Sequence, residues 1–217
     1  MTMYKDFIKD FPGRCRDVLN FNYDRMKWSD REVTLLLLAA SGGFVIPYER
    51  LREPPKGKPS HPAGGRSKFE KSTKDLDELL SNKCKFLNSA LWENGPGSWK
   101  FLKKVPSELI EKPLEDWGLE EARLVSKEKT AKSILKIIRN ALAHGNVYVN
   151  GVDIIQELLF LNQPFEDARF YELLLVAPDD FQFFLEKWFE FLSTTTKEVP
   201  SLKMIFEKLD DEGDEAA

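Results

Sequence analysis

Arg139, Asn140 and His144 are the residues of this chain whose types and spacing could do chemistry together. On a helix turning about 100° per residue, Asn140 and His144 stand at i and i+4, so their side chains are neighbours. Arg139 lies on the other edge of the same polar arc, with only the small Ala143 between. Ser133 and Lys136 complete that arc. Ile134, Leu135, Ile137, Ile138, Ala141 and Leu142 gather opposite and should face a core. A guanidinium offers a planar fork that matches phosphate oxygens and keeps its charge at any physiological pH. An imidazole takes or gives a proton near neutrality. An amide fixes orientation and can hold one imidazole tautomer. Together they suit cleavage of RNA without metal, in which an imidazole deprotonates the ribose 2′-hydroxyl and Arg139 stabilises the charge developing on the phosphate oxygens. The expected products are a 2′,3′-cyclic phosphate and a 5′-hydroxyl. The same spacing also suits a plain helix end, where His144 favours the negative dipole end and Arg139 is solvated.

Positioning these residues requires a helix, and the apolar pattern predicts one over 126–144 with Gly145 as its C-terminal stop. Earlier in the chain, helices are expected over 14–27 and from Ser29 onward, where Ser29-Asp30-Arg31-Glu32 fits a capping box. The stretch from Glu32 to Ala40 is apolar nearly all round and should be central, ended or kinked by Ser41-Gly42-Gly43. Residues 75–92 form a further helix candidate, and Pro106 and Pro113 break 99–121 into short helices. After the motif the period changes. Residues 147–149, 154–161 and 169–176 read as strands separated by turn residues. Pro178, Asp179 and Asp180 then open an aromatic amphipathic helix over 181–192, whose excess of Phe and Trp is either core or a dimeric surface.

Composition bounds the rest. The 217 residues suit one domain, 42% are hydrophobic, and the net charge of -4 provides no global basic field for nucleic acid. A local patch must serve instead. The Pro/Gly-rich segment 53–74 is basic and reads as a flexible loop, either an RNA-phosphate contact or a solvated insertion. Residues 210–217 read as a disordered acidic tail. Two cysteines without Cys-x-x-Cys spacing suggest a reducing compartment. The N-terminus lacks an apolar signal core, and the run from Val33 to Ala40 is too short to span a bilayer, so a cytoplasmic protein with no membrane partner is expected. No His/Cys cluster, Gly-rich phosphate loop or Ser-His-Asp arrangement is recognisable, so neither cofactor nor metal is expected.

The run Ile138-Arg139-Asn140-Ala141-Leu142-Ala143-His144-Gly145-Asn146 resembles the signature of the HEPN superfamily: Arg, a polar residue often Asn, three variable residues, then His. Glu32 to Leu37, Val45 to Leu51, and Pro178 to Phe181 with Leu185 to Trp188 resemble the small bacterial and plasmid-borne HEPN proteins related to the pEK499 plasmid family. The likeness spans most of the chain, and the Arg-to-His motif is its specific part. It implies a dimer joining two motif copies, RNA cleavage in active members, and site residues Arg139, Asn140 and His144. HEPN toxins paired with nucleotidyltransferase antitoxins usually have Tyr two residues after the His. Here Asn146 stands there and Tyr148 follows, which bears against a tyrosine-modifying antitoxin but not against the nuclease core. Glu49 and Arg50 are either second polar partners of the motif or a surface pair.

The expected fold is therefore mainly α: a HEPN-like up-and-down helical bundle, with a small antiparallel β meander over 146–177 inserted before the C-terminal helix, in a single domain over 1–209. The expected function is a metal-independent endoribonuclease, a toxin or phage-defence effector, with RNA as partner. It would be a homodimer through the helix carrying Arg139 and His144, and an antitoxin protein is possible. The alternatives are a non-catalytic HEPN module binding a nucleotide, RNA or partner protein, and a purely structural dimer.

Overall fold

In the computed structural model the motif helix packs on a β-sheet and also meets the central N-terminal helix and the turn at Phe86–Asn88. The residues described are 7–52, 69–92, 95, 97–164 and 167–196. Most of the basic segment 53–74, His61 within it, and the acidic tail lie outside them.

Helix α1 (Phe7–Lys27) begins a full two turns before the apolar pattern predicts. The helix that follows, α2 (Glu32–Ala40), lacks the expected capping box: its N-cap is Arg31 and no side chain caps it. The reason is local. Asp30 takes a positive φ of 53°, and the Ser29 hydroxyl turns back to the Met26 carbonyl at 3.1 Å instead of reaching forward. Ser41-Gly42-Gly43 does not end the helix. A π turn (Ser41–Val45) carries it into α3 (Ile46–Leu51). In an α-helix the Gly43 carbonyl would look to residue 47 for a donor, and Pro47 has no N–H. The Trp188 indole fills that role, donating to the Gly43 oxygen at 3.0 Å. The combined segment Glu32–Leu51 is long and apolar enough to cross a membrane by length and composition alone, but here it packs on α1, the motif helix and the C-terminal helix.

Helix α4 (Glu70–Leu79) begins inside the segment read as a loop and stops well before the predicted end. A 3-10 turn (Phe86–Asn88) follows. The expectation of short helices over 99–121 is half overturned. Lys100–Pro106 is a strand, β1, and only the following residues form 3-10 turns, at Ser107–Leu109, Leu114–Trp117 and Leu119–Glu121. Strand β2 (Arg123–Leu124) precedes the motif helix α5 (Ala131–His144). Then come β3 (Val147–Asn150), β4 (Glu157–Asn162), β5 (Phe170–Val176) and α6 (Pro178–Thr196).

The three late strands pair antiparallel in succession, but they are part of a five-stranded sheet of order β2-β1-β5-β4-β3. The sheet is thus larger than the meander read from 146–177, because β1 pairs with β5 from far upstream. Its strands alternate cleanly. Leu158, Phe160, Leu174 and Val176 join the helices in the main core, whereas Leu159, Leu161, Leu173 and Leu175 meet Trp117 in a second core on the opposite face. Both faces are covered, which is why β4 and β5 read as nearly continuous apolar runs.

Helix α6 ties the layers together. Phe181, Phe184, Leu185, Trp188, Phe189 and Leu192 are fully buried, so most of its aromatic excess is core. Asp180 accepts from the Ser98 backbone N–H at 3.0 Å and from the Ser98 hydroxyl. Asp179 holds Lys27 at 2.7 Å and accepts from the Tyr23 hydroxyl at 2.7 Å, anchoring α6 to α1. Helices approach closely at Gly43, where an added Cβ would lie 2.5 Å from the buried Phe189 ring and 3.1 Å from the Cys15 Cβ. Gly43→Ala is expected to destabilise the protein by about 1–3 kcal/mol through overpacking. Thermal melting checks this, and an unchanged or raised melting temperature would refute the close-packing account.

Candidate functional site

Thr130 starts α5 where the sequence allowed a longer helix. Its hydroxyl accepts from the Ser133 N–H at 3.2 Å, a side-chain N-cap, while Ser126 closes a separate turn onto Lys129. Ile134, Leu135, Ile137, Ile138 and Ala141 are all buried, as the wheel predicts. At the other end Gly145 adopts φ 70°, the left-handed conformation that stops a helix, and its N–H returns to the Ala141 carbonyl. Asn146 also donates to Ala141 at 2.8 Å, and its own carbonyl accepts from Leu161 at 3.0 Å. The end of the motif helix is therefore fixed to strand β4.

At that end the structure brings Arg139 and Asn140 together. One guanidinium nitrogen, Nη1, donates to Asn140 Oδ1 at 2.6 Å. Arg139 Nε lies 2.6 Å from Glu49 Oε1, a close ion contact that is not aligned as a hydrogen bond. The second Glu49 oxygen accepts from Arg52 at 2.9 Å. Glu49 is thus the partner of the motif arginine rather than one half of a surface pair with Arg50. Arg139 is not freely solvated either: its side chain is 24% exposed. Its Nη2 group has no partner among the described residues, which leaves donors for a ligand oxygen. Tyr48 stands beside this cluster, and burial pushes its phenol above the ordinary value while Arg52 and Arg139 pull it back.

His144 is exposed, and among the described residues it has no hydrogen bond or ion pair. Asn140 does not orient its imidazole. The Asn140 amide instead donates to Asn162 Oδ1 at 2.7 Å, and Asn162 donates to Glu172 Oε2 at 3.1 Å. Asn162 and Glu172 were missed in the sequence. Asn162 follows the predicted strand 154–161 directly, among the residues expected to turn, yet it shares the core-facing parity of Leu158 and Phe160, and it is 2% exposed. Tyr148 points the other way, its ring edge-on to Trp117 at 5.0 Å on the far face of the sheet.

Among the described residues no group of three or more His, Cys, Asp or Glu is placed to hold a metal. A cleft of about 750 Å³ is lined by Asp75, Glu78, Lys83, Cys84, Asn88 and Phe191. It lies toward the start of α5, where the Cys84 backbone carbonyl accepts from the Ala131 N–H, and burial with Glu78 nearby raises the Cys84 thiol. A protonated thiol beside acidic groups is a poor nucleophile.

The Glu49 clamp has a stability consequence. Glu49→Ala would leave Arg139 and Arg52 facing each other with no counter-charge in a half-buried setting, so a loss of about 1–3 kcal/mol is expected, with Glu49→Gln between the two. Denaturant unfolding measures it, and an alanine variant as stable as the wild type would show that the carboxylate clamps nothing.

Compared with known proteins, residues 1–198 match the family model described as HEPN pEK499 p136. No curated protein and no solved structure gives a significant match. The matched residues take in every element from α1 to α6, including the helix that carries Arg139, Asn140 and His144, and on that evidence the chain belongs to the HEPN pEK499 p136 family.

Proposed function

We propose that this protein is a metal-independent endoribonuclease whose catalytic groups are Arg139 and His144, with Asn140 orienting the arginine. The observation that carries this reading is the contrast at the end of α5: Arg139 is held in place on both sides, while His144 is exposed and unpartnered among the described residues. That suits a phosphate ligand that must be preorganised and a proton carrier that must meet substrate. In the reaction, the ribose 2′-oxygen attacks phosphorus as an imidazole takes its proton. The bond from phosphorus to the 5′-oxygen breaks, and that oxygen leaves with a proton. Arg139 Nη2 donates to the phosphate oxygens as their charge grows.

Such a step uses a proton acceptor and a proton donor on opposite sides of the phosphorus. His144 is the one histidine among the described residues, so a single copy supplies one of the two. A homodimer through α5 would supply both, and it is the assembly this reading requires. The biological setting it suits is a cytoplasmic toxin or phage-defence effector, held in check by an antitoxin if it is a toxin.

One observation favours the second reading, a non-catalytic module that binds RNA, a nucleotide or a partner protein. Arg139 is ion-paired within its own chain and only 24% exposed. The test is cleavage of RNA by purified protein in EDTA. Wild type should cleave, and His144→Ala and Arg139→Ala should each lose about a hundredfold to ten-thousandfold while remaining folded. Cleavage that survives His144→Ala would refute the mechanism. Affinity for RNA without turnover would establish the binding module instead.

A further inference from the structure

We infer that Glu172 and Asn162 are positioning residues for Arg139, acting through a directional chain of amides that crosses from the sheet to the motif helix. The inference rests on the proposed role of Arg139 as a phosphate ligand. Glu172 and Asn162 are register partners on β5 and β4. Both lie on the helix-facing side of the sheet, at the parity of Leu174 and Phe160. The chain runs Glu172 Oε2 to Asn162 Nδ2 (3.1 Å), Asn162 Oδ1 to Asn140 Nδ2 (2.7 Å), and Asn140 Oδ1 to Arg139 Nη1 (2.6 Å).

Its direction follows from its ends. A carboxylate only accepts and a guanidinium only donates, whereas an amide can present either face. Glu172 therefore draws the Asn162 NH2 toward itself and turns the Asn162 oxygen to α5. Asn140 must answer with its NH2, which leaves its oxygen for Arg139. Reversing either amide sets donor against donor or acceptor against acceptor, in a place where Asn162 is buried from water. With Glu49 in close ion contact with Nε, the guanidinium is held at two points and Nη2 is left without a partner among the described residues. Glu172 thereby fixes the angle of an arginine that it does not touch.

Three substitutions separate direction from charge. Gln at 172 can still accept from Asn162, so Glu172→Gln should bind a non-cleavable 2′-O-methyl RNA oligonucleotide within about threefold of wild type. Lys at 172 can only donate, and Glu172→Lys should turn both amides and weaken binding about tenfold or more. Glu172 interacts electrostatically with Lys129; Asn162→Leu cuts the chain without disturbing that charge, and the same loss is expected should Glu172→Lys fail to fold. In nitrogen-15 spectra the Asn140 side-chain amide and the Arg139 Nε signal should move in Glu172→Lys and Asn162→Leu and stay in Glu172→Gln. Equal losses in Gln and Lys variants, or an Asn162→Leu protein that binds like wild type with its Asn140 signal unmoved, would overturn the inference. If wild type binds no RNA, the ribonuclease reading fails, and the nitrogen-15 signals alone then decide whether the chain exists.

Discussion

A guanidinium brought partly out of water needs counter-groups, and Arg139 is held at Nε and Nη1 by an arrangement drawn from three separate parts of the chain. Glu49 comes from the end of the central helix, Asn140 from the motif helix itself, and Asn162 with Glu172 from the sheet. The half-buried charge sets where α3 ends relative to α5, and it sets how α5 lies on β4. A bare ion pair would leave the arginine free to swing. Contacts at Nε and Nη1 together define the plane of the fork and leave Nη2 as the end that can meet a ligand.

The larger architecture serves that placement. Helix α5 can present a polar edge because its other side is sealed by Ile134, Leu135, Ile137, Ile138 and Ala141. The sheet beneath can be a firm floor because both its faces are covered, the outer one by Trp117 and the turns around it. The π turn at Ser41–Val45 lets the central helix pass Pro47 without stopping, with Trp188 capping the carbonyl that the proline leaves unpaired. That continuation delivers Glu49 to Arg139. Of the two outcomes that Ser41-Gly42-Gly43 allows, an end or a kink, an end at Gly43 would have put Glu49 on a loop.

Much of this was legible in the residues, and the failures share a cause. The motif helix, its Gly145 stop and the three strands after it follow from local periodicity, which one segment carries by itself. Strand β1 does not. Lys103, Lys104 and Pro106 hide its period, a register shift between Leu102 and Val105 disturbs it further, and its partner β5 is far away in sequence. The capping box failed because the positive-φ turn at Asp30 puts the N-cap at Arg31, and the Ser29 hydroxyl is turned back to donate to the Met26 carbonyl instead of reaching the new helix start. Asn162 and Glu172 were invisible as site residues because they meet only through strand register. The signal available was a polar residue at core parity directly after Leu158 and Phe160. Glu49 was noticed, but its partner across the fold could not be chosen from sequence.

The central claim is that the Arg139–His144 edge performs a transesterification on RNA, and the chemistry of the product ends tests it most directly. RNA incubated with purified protein in EDTA should yield fragments ending in a 2′,3′-cyclic phosphate, paired with fragments beginning in a 5′-hydroxyl. Substrate with the 2′-hydroxyl methylated at the cut site should stay intact. Fragments carrying 3′-hydroxyl and 5′-phosphate ends, or cleavage of the methylated site, would contradict the account, because neither can arise from attack by the ribose 2′-oxygen.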